Sequence, residues 1–328
     1  DTAHTRGRFL LVSSLVQQEK WEAALSEAEP LLEDEKTRAQ GNYLIGRVYF
    51  AERKDAEASE SQKAALAENP GIIEALEILM RAYVRSDQRD EAVTYLTQHL
   101  KDNPKHFHAH RLMGDFQRGK GENKQAEASY QQALELMPTS AQLYQRLATL
   151  YIAQGEAEQA IAILEQGVEK ASNPLGLMVV LGGQYQRAGD YDKARKAYED
   201  VLEINPNVLL AANNLAIILV DHYGDEASLR QAEEVVETLR ESQEPALLDT
   251  MGWVNYKAGN YVRALTLLEM AEEMGGKGKE YDYHLGMAYH KNGQLEKARE
   301  KLTLAVADDT EYTGKDEAKQ LLSELQGS

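Results

Sequence analysis

The 328-residue sequence contains no cysteine, which excludes disulfides, thiolate metal sites and a cysteine nucleophile and leaves both cytoplasm and periplasm open. No apolar run approaches the roughly 18 residues that would span a membrane. Positive charge is in short supply: 36 Lys and Arg stand against 54 Asp and Glu, a net charge of -18. That balance argues against a nucleic-acid partner, because neutralising phosphates takes a basic face; acidity of this kind favours solubility. Neither an initiating methionine nor a signal-like segment precedes Asp1, so the chain is expected to be a processed or trimmed product of something longer. Proline is scarce at seven, while 43% of residues are hydrophobic, enough to fold rather than stay disordered.

What the sequence has instead is a period. Ala24, Ala58, Ala92, Ala126, Ala160 and Ala194 recur every 34 residues, and a second row of mostly small residues, Val12, Gly46, Met80, Gly114, Ala148 and Gly182, keeps the same interval. Prolines add a third row at Pro70, Pro104 and Pro138, and less regularly at Pro174 and Pro206. Two small-residue rows locked to a 34-residue interval indicate stacked helical hairpins. Length alone would suggest about two globular domains. A repeat array instead predicts one elongated body over 1–328, each unit touching only its neighbours.

The alanine row places nine units, starting at Thr5, Ala39, Ile73, Phe107, Ala141, Leu175, Leu209, Pro245 and Lys279. Each holds two segments of helical spacing, A and B, split by a polar turn such as Ala188–Asp190 or Asn292–Gln294. Small residues sit where a larger side chain would push the partner helix away. The fullest pattern is Gly182, Tyr185, Gly189, Ala194, Tyr198 and Pro206; Gly114, Gly121, Ala126, Tyr130, Ala133 and Pro138 match nearly as well. Small residue, tyrosine, turn glycine, alanine, aromatic and proline at these offsets resemble the tetratricopeptide repeat, over about residues 5 to 310. The resemblance implies an all-α fold: an α-solenoid winding as a right-handed superhelix, with helix A of each unit on its concave side.

Departures from the pattern carry expectations of their own. The first unit has Val12 and Leu15 in place of the glycine and tyrosine. In the seventh unit about four extra residues precede Ala232, which predicts a protruding turn over Asp221–Ala232, either a tolerated surface insertion or a partner-specific hook. Residues 314–325 put Ala318, Leu321, Leu322 and Leu325 on one stripe, the signature of a capping helix over the last apolar face. The N-terminus shows no such cap, which suggests a cut inside a longer array.

Nothing in the sequence announces catalysis, a cofactor or a metal. His106 and His110 lie four apart, a spacing that can hold zinc on a helix, but ordinary surface histidines explain them better. Gly275–Glu280 lacks the spacing and the preceding strand of a phosphate loop and reads as a flexible connection. No carboxylate pair stands out as a separated acid and base, and no nucleophile elbow occurs.

Function therefore falls to helix A positions outside the packing rows: the second, fifth, ninth, twelfth and thirteenth places of each unit. Across units two to six these hold Arg47, Arg81, Arg85, Arg111, Arg118 and Arg187 against Glu74, Glu77 and Asp115, a local excess of three positive charges in an acidic chain. Arginine forks suit carboxylates and other oxyanions, so the lining suits an acidic or extended protein segment, or an anionic polysaccharide. The competing reading pairs these arginines with acids of adjacent helices. Units seven to nine offer Asn213, Asp249, Trp253, Tyr256, Tyr283 and His290; Tyr256 and Tyr283 are the preferred contacts, with Trp253 expected nearer the core.

Co-chaperones of the tetratricopeptide family grip peptide C-termini with a lysine and asparagine clamp; the corresponding places read Phe9/Ser13, Tyr43/Arg47 and Glu77/Arg81, so that clamp is absent. Leu247–Glu273 followed by His284–Leu302 resembles the C-terminal end of large bacterial envelope proteins of the family, including those tied to PEP-CTERM sorting and exopolysaccharide production. The expectation is a non-catalytic interaction scaffold in a bacterial envelope or export assembly, periplasmic rather than cytoplasmic. Anionic polysaccharide binding, or a plain spacer within a longer protein, stands beside it.

Overall fold

The computed structural model describes residues 2–327, with side chains from residue 7 onward. The described residues contain helices and no strand. They form two compact units, one ending at Gln154 and the next beginning at Gly155. The first unit carries α1 (Thr2–Gln17), α2 (Trp21–Ala28), α3 (Glu35–Ala51), α4 (Asp55–Glu68), α5 (Ile73–Arg85), α6 (Arg89–Asp102), α7 (Phe107–Gly119), α8 (Asn123–Leu136) and α9 (Ala141–Gln154). The second carries α10 (Ala157–Lys170), α11 (Leu175–Arg187), α12 (Tyr191–Ile204), α13 (Leu209–Ile218), α14 (Glu226–Val236), α15 (Pro245–Lys257), α16 (Tyr261–Glu273), α17 (Lys279–Lys291), α18 (Leu295–Ala305) and α19 (Lys315–Gly327).

Inside each unit a B helix packs against the A helix of its own repeat and against the next A helix, as α4 does with α3 and α5, and α16 with α15 and α17. The close approach comes from one repeated contact. A Cβ at Gly46, Gly114, Gly182, Gly252 or Gly286 would lie 2.6–2.8 Å from a side chain 16 residues onward: Gln62, Tyr130, Tyr198, Leu268 and Leu302 respectively. Helix A gives up its side chain so that helix B can bury a large one. The alanine row does the reciprocal job: Ala24, Ala58, Ala92, Ala126, Ala160, Ala194, Ala232, Ala264 and Ala298 are each 0% exposed.

Helix A ends by reversing through a left-handed residue, after which a backbone N–H bonds the carbonyl five residues back, as Asp190 N does with Tyr185 O at 2.9 Å. From the fourth repeat that residue is glycine, for example Gly121 and Gly189 at φ 78° and 76°. The first three repeats place Glu19, Arg53 and Asp87 there, at φ 56°, 67° and 57°, where a Cβ is strained.

From the third repeat on, A helices begin at the residues the spacing gives, 73, 107, 141, 175, 209, 245 and 279. The first two begin earlier, at Thr2 and Glu35 rather than at 5 and 39. For α3 the cause is Asp34, whose carboxylate accepts from Lys36 N at 3.0 Å and caps the helix. The seventh repeat gives its expected turn a definite form: α13 runs on into a π-helical turn, Leu219–Tyr223, with Leu219 and Val220 buried and His222 and residues 224–227 exposed. His222 stacks on Tyr191 at 3.4 Å and the Tyr223 hydroxyl donates to Asp192, so the turn folds back on the preceding repeat. Asp225 then caps α14, accepting from Ala227 N and Ser228 N at 3.0 Å each. The last helix, α19, buries Ala318, Leu321, Leu322 and Leu325 against its neighbours.

Two substitutions separate these packing and backbone effects. Gly182→Ala drives a methyl into the buried Tyr198 ring and should lower stability by about 1–3 kcal/mol. Arg53→Gly relieves a left-handed residue and should raise stability by about 0.5–1 kcal/mol, less the entropy glycine returns to the unfolded chain. Urea unfolding followed by far-UV circular dichroism measures both, and the same sign for the two would contradict the assignment.

Candidate functional site

The six lining arginines divide into two groups. Arg85 is held by Asp55, bonds the Phe50 carbonyl at 2.7 Å and lies over the Phe50 ring at 4.0 Å. Arg111, 6% exposed, donates to Glu77 at 2.8 Å and to Asp115 at 3.2 Å. Arg47 donates to Ser13 at 2.8 Å and covers the Phe9 ring. All three are bonded to neighbouring groups, Arg85 at the surface, as the adjacent-helix pairing reading expects for Arg85 and Arg111. Arg81, Arg118 and Arg187 are exposed and form no ion pair among the described residues.

Asp115 acts as a shared acceptor in the first unit. Besides Arg111 it takes the Tyr130 hydroxyl at 2.7 Å and Arg146 at 2.8 Å. Burial pushes the Tyr130 phenol up to about 12, with the hydrogen bond to the Asp115 carboxylate adding to it. Arg146 and Arg118 line one recess of about 290 Å³; Arg81 rims another of about 320 Å³ floored by Met80, Val84, Leu112 and Phe116.

The second unit carries a larger groove, about 550 Å³, across the A helices α11, α13, α15 and α17. Arg187 and Gln186 come from α11, Asn213 and Asn214 from α13, Asp249 and Thr250 from α15, and Glu280 and His284 from α17; Thr313 closes in from the connection before α19. Asp249 is 7% exposed; its Oδ2 accepts from His284 Nδ1 at 2.9 Å, while its Oδ1 has no partner. Asn213 Nδ2 donates to Asn214 at 3.3 Å and its Oδ1 is likewise buried without a donor.

The tyrosines chosen from the sequence lie elsewhere. Tyr283 is 1% exposed and its hydroxyl donates to Glu317 at 2.6 Å. Tyr256 is buried, stacked parallel to Trp253 at 4.8 Å. Trp253 is core as expected, its Nε1 donating to Asp221 at 2.9 Å. Neither Tyr256 nor Tyr283 is presented to solvent, and burial raises both phenols far above their ordinary range. His290 is half-buried near the end of α17.

The sixth place of the repeat was missed. It holds Leu44, Ile78, Leu112 and Val180 in some repeats but Arg146, Asn214, Thr250 and His284 in others, and the latter four all line recesses. The legible signal was a position switching from apolar to polar along the chain. Bonds join A helices one repeat apart: Arg47 to Ser13, Arg85 to the Phe50 carbonyl, Arg111 to Glu77 and Arg146 to Asp115 in the first unit, and His284 to Asp249 in the second, where Tyr283 also bonds Glu317 of the last helix.

The spaced histidines, His106 and His110, are partly buried, and His110 Nε2 lies 2.9 Å from the Pro104 carbonyl oxygen. His106 Nδ1 lies 2.7 Å from Nε2 of His99, a buried residue of α6 that the sequence reading passed over, and His106 and His108 are half-buried. Among the described residues no group of three His, Cys, Asp or Glu side chains is arranged to hold a metal ion.

These shapes define a class, an all-α scaffold of stacked helical hairpins. Tetratricopeptide repeat models match residues 9–71, 79–141 and 250–312, and also 118–179 and 177–208. They cover more than half of the chain, which belongs to the tetratricopeptide repeat family, a typical protein-interaction scaffold and generally non-catalytic. Among solved structures it is similar to the C-terminal part of a tetratricopeptide protein of Cytophaga hutchinsonii, with TM-score 0.52 and 17% identity over 84% of this chain and 98% of that one. PilF of Pseudomonas aeruginosa gives 0.51 and 20%, over 72% and 99%. Cut9–Hcn1 of the APC/C gives 0.51 and 13%, over 98% and 83%. At these identities the likeness is one of fold. No curated protein matches the chain significantly.

Burial first, then the neighbouring His99, His108 and His110, lowers His106 to about 4; burial also lowers His99 and His108, against the pull of Asp102 on the former and of Glu77 and Glu74 on the latter. A base with a depressed folded pKa binds protons first in the unfolded state, so its effect is absent above about 6.5 and stability falls as the pH drops from there toward 4. With partial exposure discounted, His106 should account for a loss on the order of 1–2 kcal/mol. Urea midpoints between pH 7.5 and 4.5, compared with His106→Gln, measure it; parallel pH profiles would refute it.

Proposed function

We propose that this chain is a non-catalytic scaffold that holds a segment of a partner protein along its A-helix faces, acting as one continuous binding domain. The observation that carries the reading is where unsatisfied chemistry lies. Arg81, Arg118 and Arg187 without ion pairs, and the donorless oxygens of Asn213 and Asp249, all sit on A helices at places the packing does not use. Buried polar atoms are normally paired, so the two donorless oxygens on neighbouring A helices of the second unit, with exposed arginines on A helices in each unit, favour an external ligand. No helix among the described residues is long and apolar enough to cross a membrane.

The setting we propose is a bacterial cell-envelope or export assembly, supported by the likeness of Leu247–Glu273 and His284–Leu302 to the ends of large envelope proteins of the family. Anionic polysaccharide is the second reading. The three unpaired arginines favour it, but it lacks the exposed rings a sugar would stack on, since Tyr256 and Tyr283 are buried.

The test is capture of binding proteins by the chain and by an Arg81→Glu/Arg118→Glu/Arg187→Glu variant, with mass spectrometry and then titration of the purified partner. A partner lost from the variant at unchanged helicity is the expected result. Equal affinity for both baits removes the A-face reading, and no partner for either leaves the polysaccharide or the spacer. Arg111 is unsuitable for this purpose: reversing its charge beside Glu77 and Asp115 should cost about 2–4 kcal/mol in urea unfolding.

A further inference from the structure

The groove of the second unit also says something about its occupant. Its charged lining is one arginine, Arg187, against three carboxylates. Asp221 is already engaged by Trp253 Nε1 at 2.9 Å and by Lys257 at 3.6 Å. Glu280 is exposed at the rim and makes no ion pair, and Asp249 is buried with one oxygen free. Both unpartnered atoms among the groove's lining residues, Asp249 Oδ1 and Asn213 Oδ1, are acceptors buried beneath its surface. A water molecule can fill an acceptor's hydrogen-bonding capacity, but only a cation also answers a buried carboxylate's charge.

Resting on the scaffold reading above, we infer that this groove takes an extended peptide segment bearing a lysine or arginine, whose cationic head donates to Asp249 Oδ1 and Asn213 Oδ1. The dimensions suit such a segment. Four neighbouring A helices at spacings of about 8–10 Å span about 24–30 Å, which an extended chain covers in about eight residues. The direction is set by charge: acceptors lie on α13 and α15 and Glu280 on α17, while Arg187 on α11 faces an acidic residue or carboxylate on the far side of the basic one. The occupant is thus mixed in charge, basic over the middle helices and acidic toward α11.

Selection of peptides from a random decapeptide library on the full chain, followed by fluorescence anisotropy with labelled winners, tests this. A lysine or arginine should recur at one position, and replacing it with norleucine should weaken binding at least tenfold. Asp249→Asn should weaken the basic peptide tenfold and leave the norleucine peptide unchanged, whereas Asn213→Asp should tighten the basic peptide several-fold. If Asp249→Asn fails to keep its helicity, Asn213→Asp decides alone, and a basic peptide that it does not tighten overturns the inference. Peptides that lack a basic position yet are weakened by Arg187→Glu overturn this inference and leave the scaffold reading standing. A selection yielding no peptide sensitive to Asp249, Asn213 or Arg187 overturns both.

Discussion

The distance between helix A and helix B of a repeat is the constraint on which the rest depends. It is set by a residue without a side chain facing a large side chain 16 positions later, Gly114 under Tyr130 or Gly182 under Tyr198. Because interiors are close-packed, one methyl at that contact is felt across the hairpin. Once the distance is fixed, the tyrosine's ring is fixed too, and with it the hydroxyl that reaches the A face: Tyr130 bonds Asp115, and Tyr198 accepts from Asn214 Nδ2 at 2.9 Å. The packing rows thereby orient the first polar groups of the surface they leave free.

A division of labour follows along each A helix. Places consumed by packing are apolar or small, and places five, six, nine, twelve and thirteen carry groups that either tie one repeat to the next or stay open. The two units use this freedom differently. The first spends its charges largely on itself, with Asp115 shared among Arg111, Arg146 and Tyr130. The second keeps buried acceptors without donors at Asn213 and Asp249.

The period, the hairpins and most A-helix starts were legible because they follow from residues repeated at one interval. The early start of α3 was not, since a cap at Asp34 depends on a single side chain outside the register. Nor was the π-helical turn: four added residues read as length, while the turn's form comes from Leu219 and Val220 packing inward and His222 stacking on Tyr191. For the candidate site, register alone could not tell Arg81 from Arg85. What separates them is Asp55, 30 residues from Arg85 in sequence and beside it in space. Tyr256 and Tyr283 were read as lining from their places, yet the surrounding rings of Trp253 and His284 and the carboxylate of Glu317 draw them inward.

The bonds between successive A helices have a mechanical consequence. Arg111 to Glu77 in the first unit and His284 to Asp249 in the second cross from one repeat to the next on the face a ligand would use. A load that spreads those helices must stretch or exchange charged hydrogen bonds, so each such bond resists the opening of its own unit along that face.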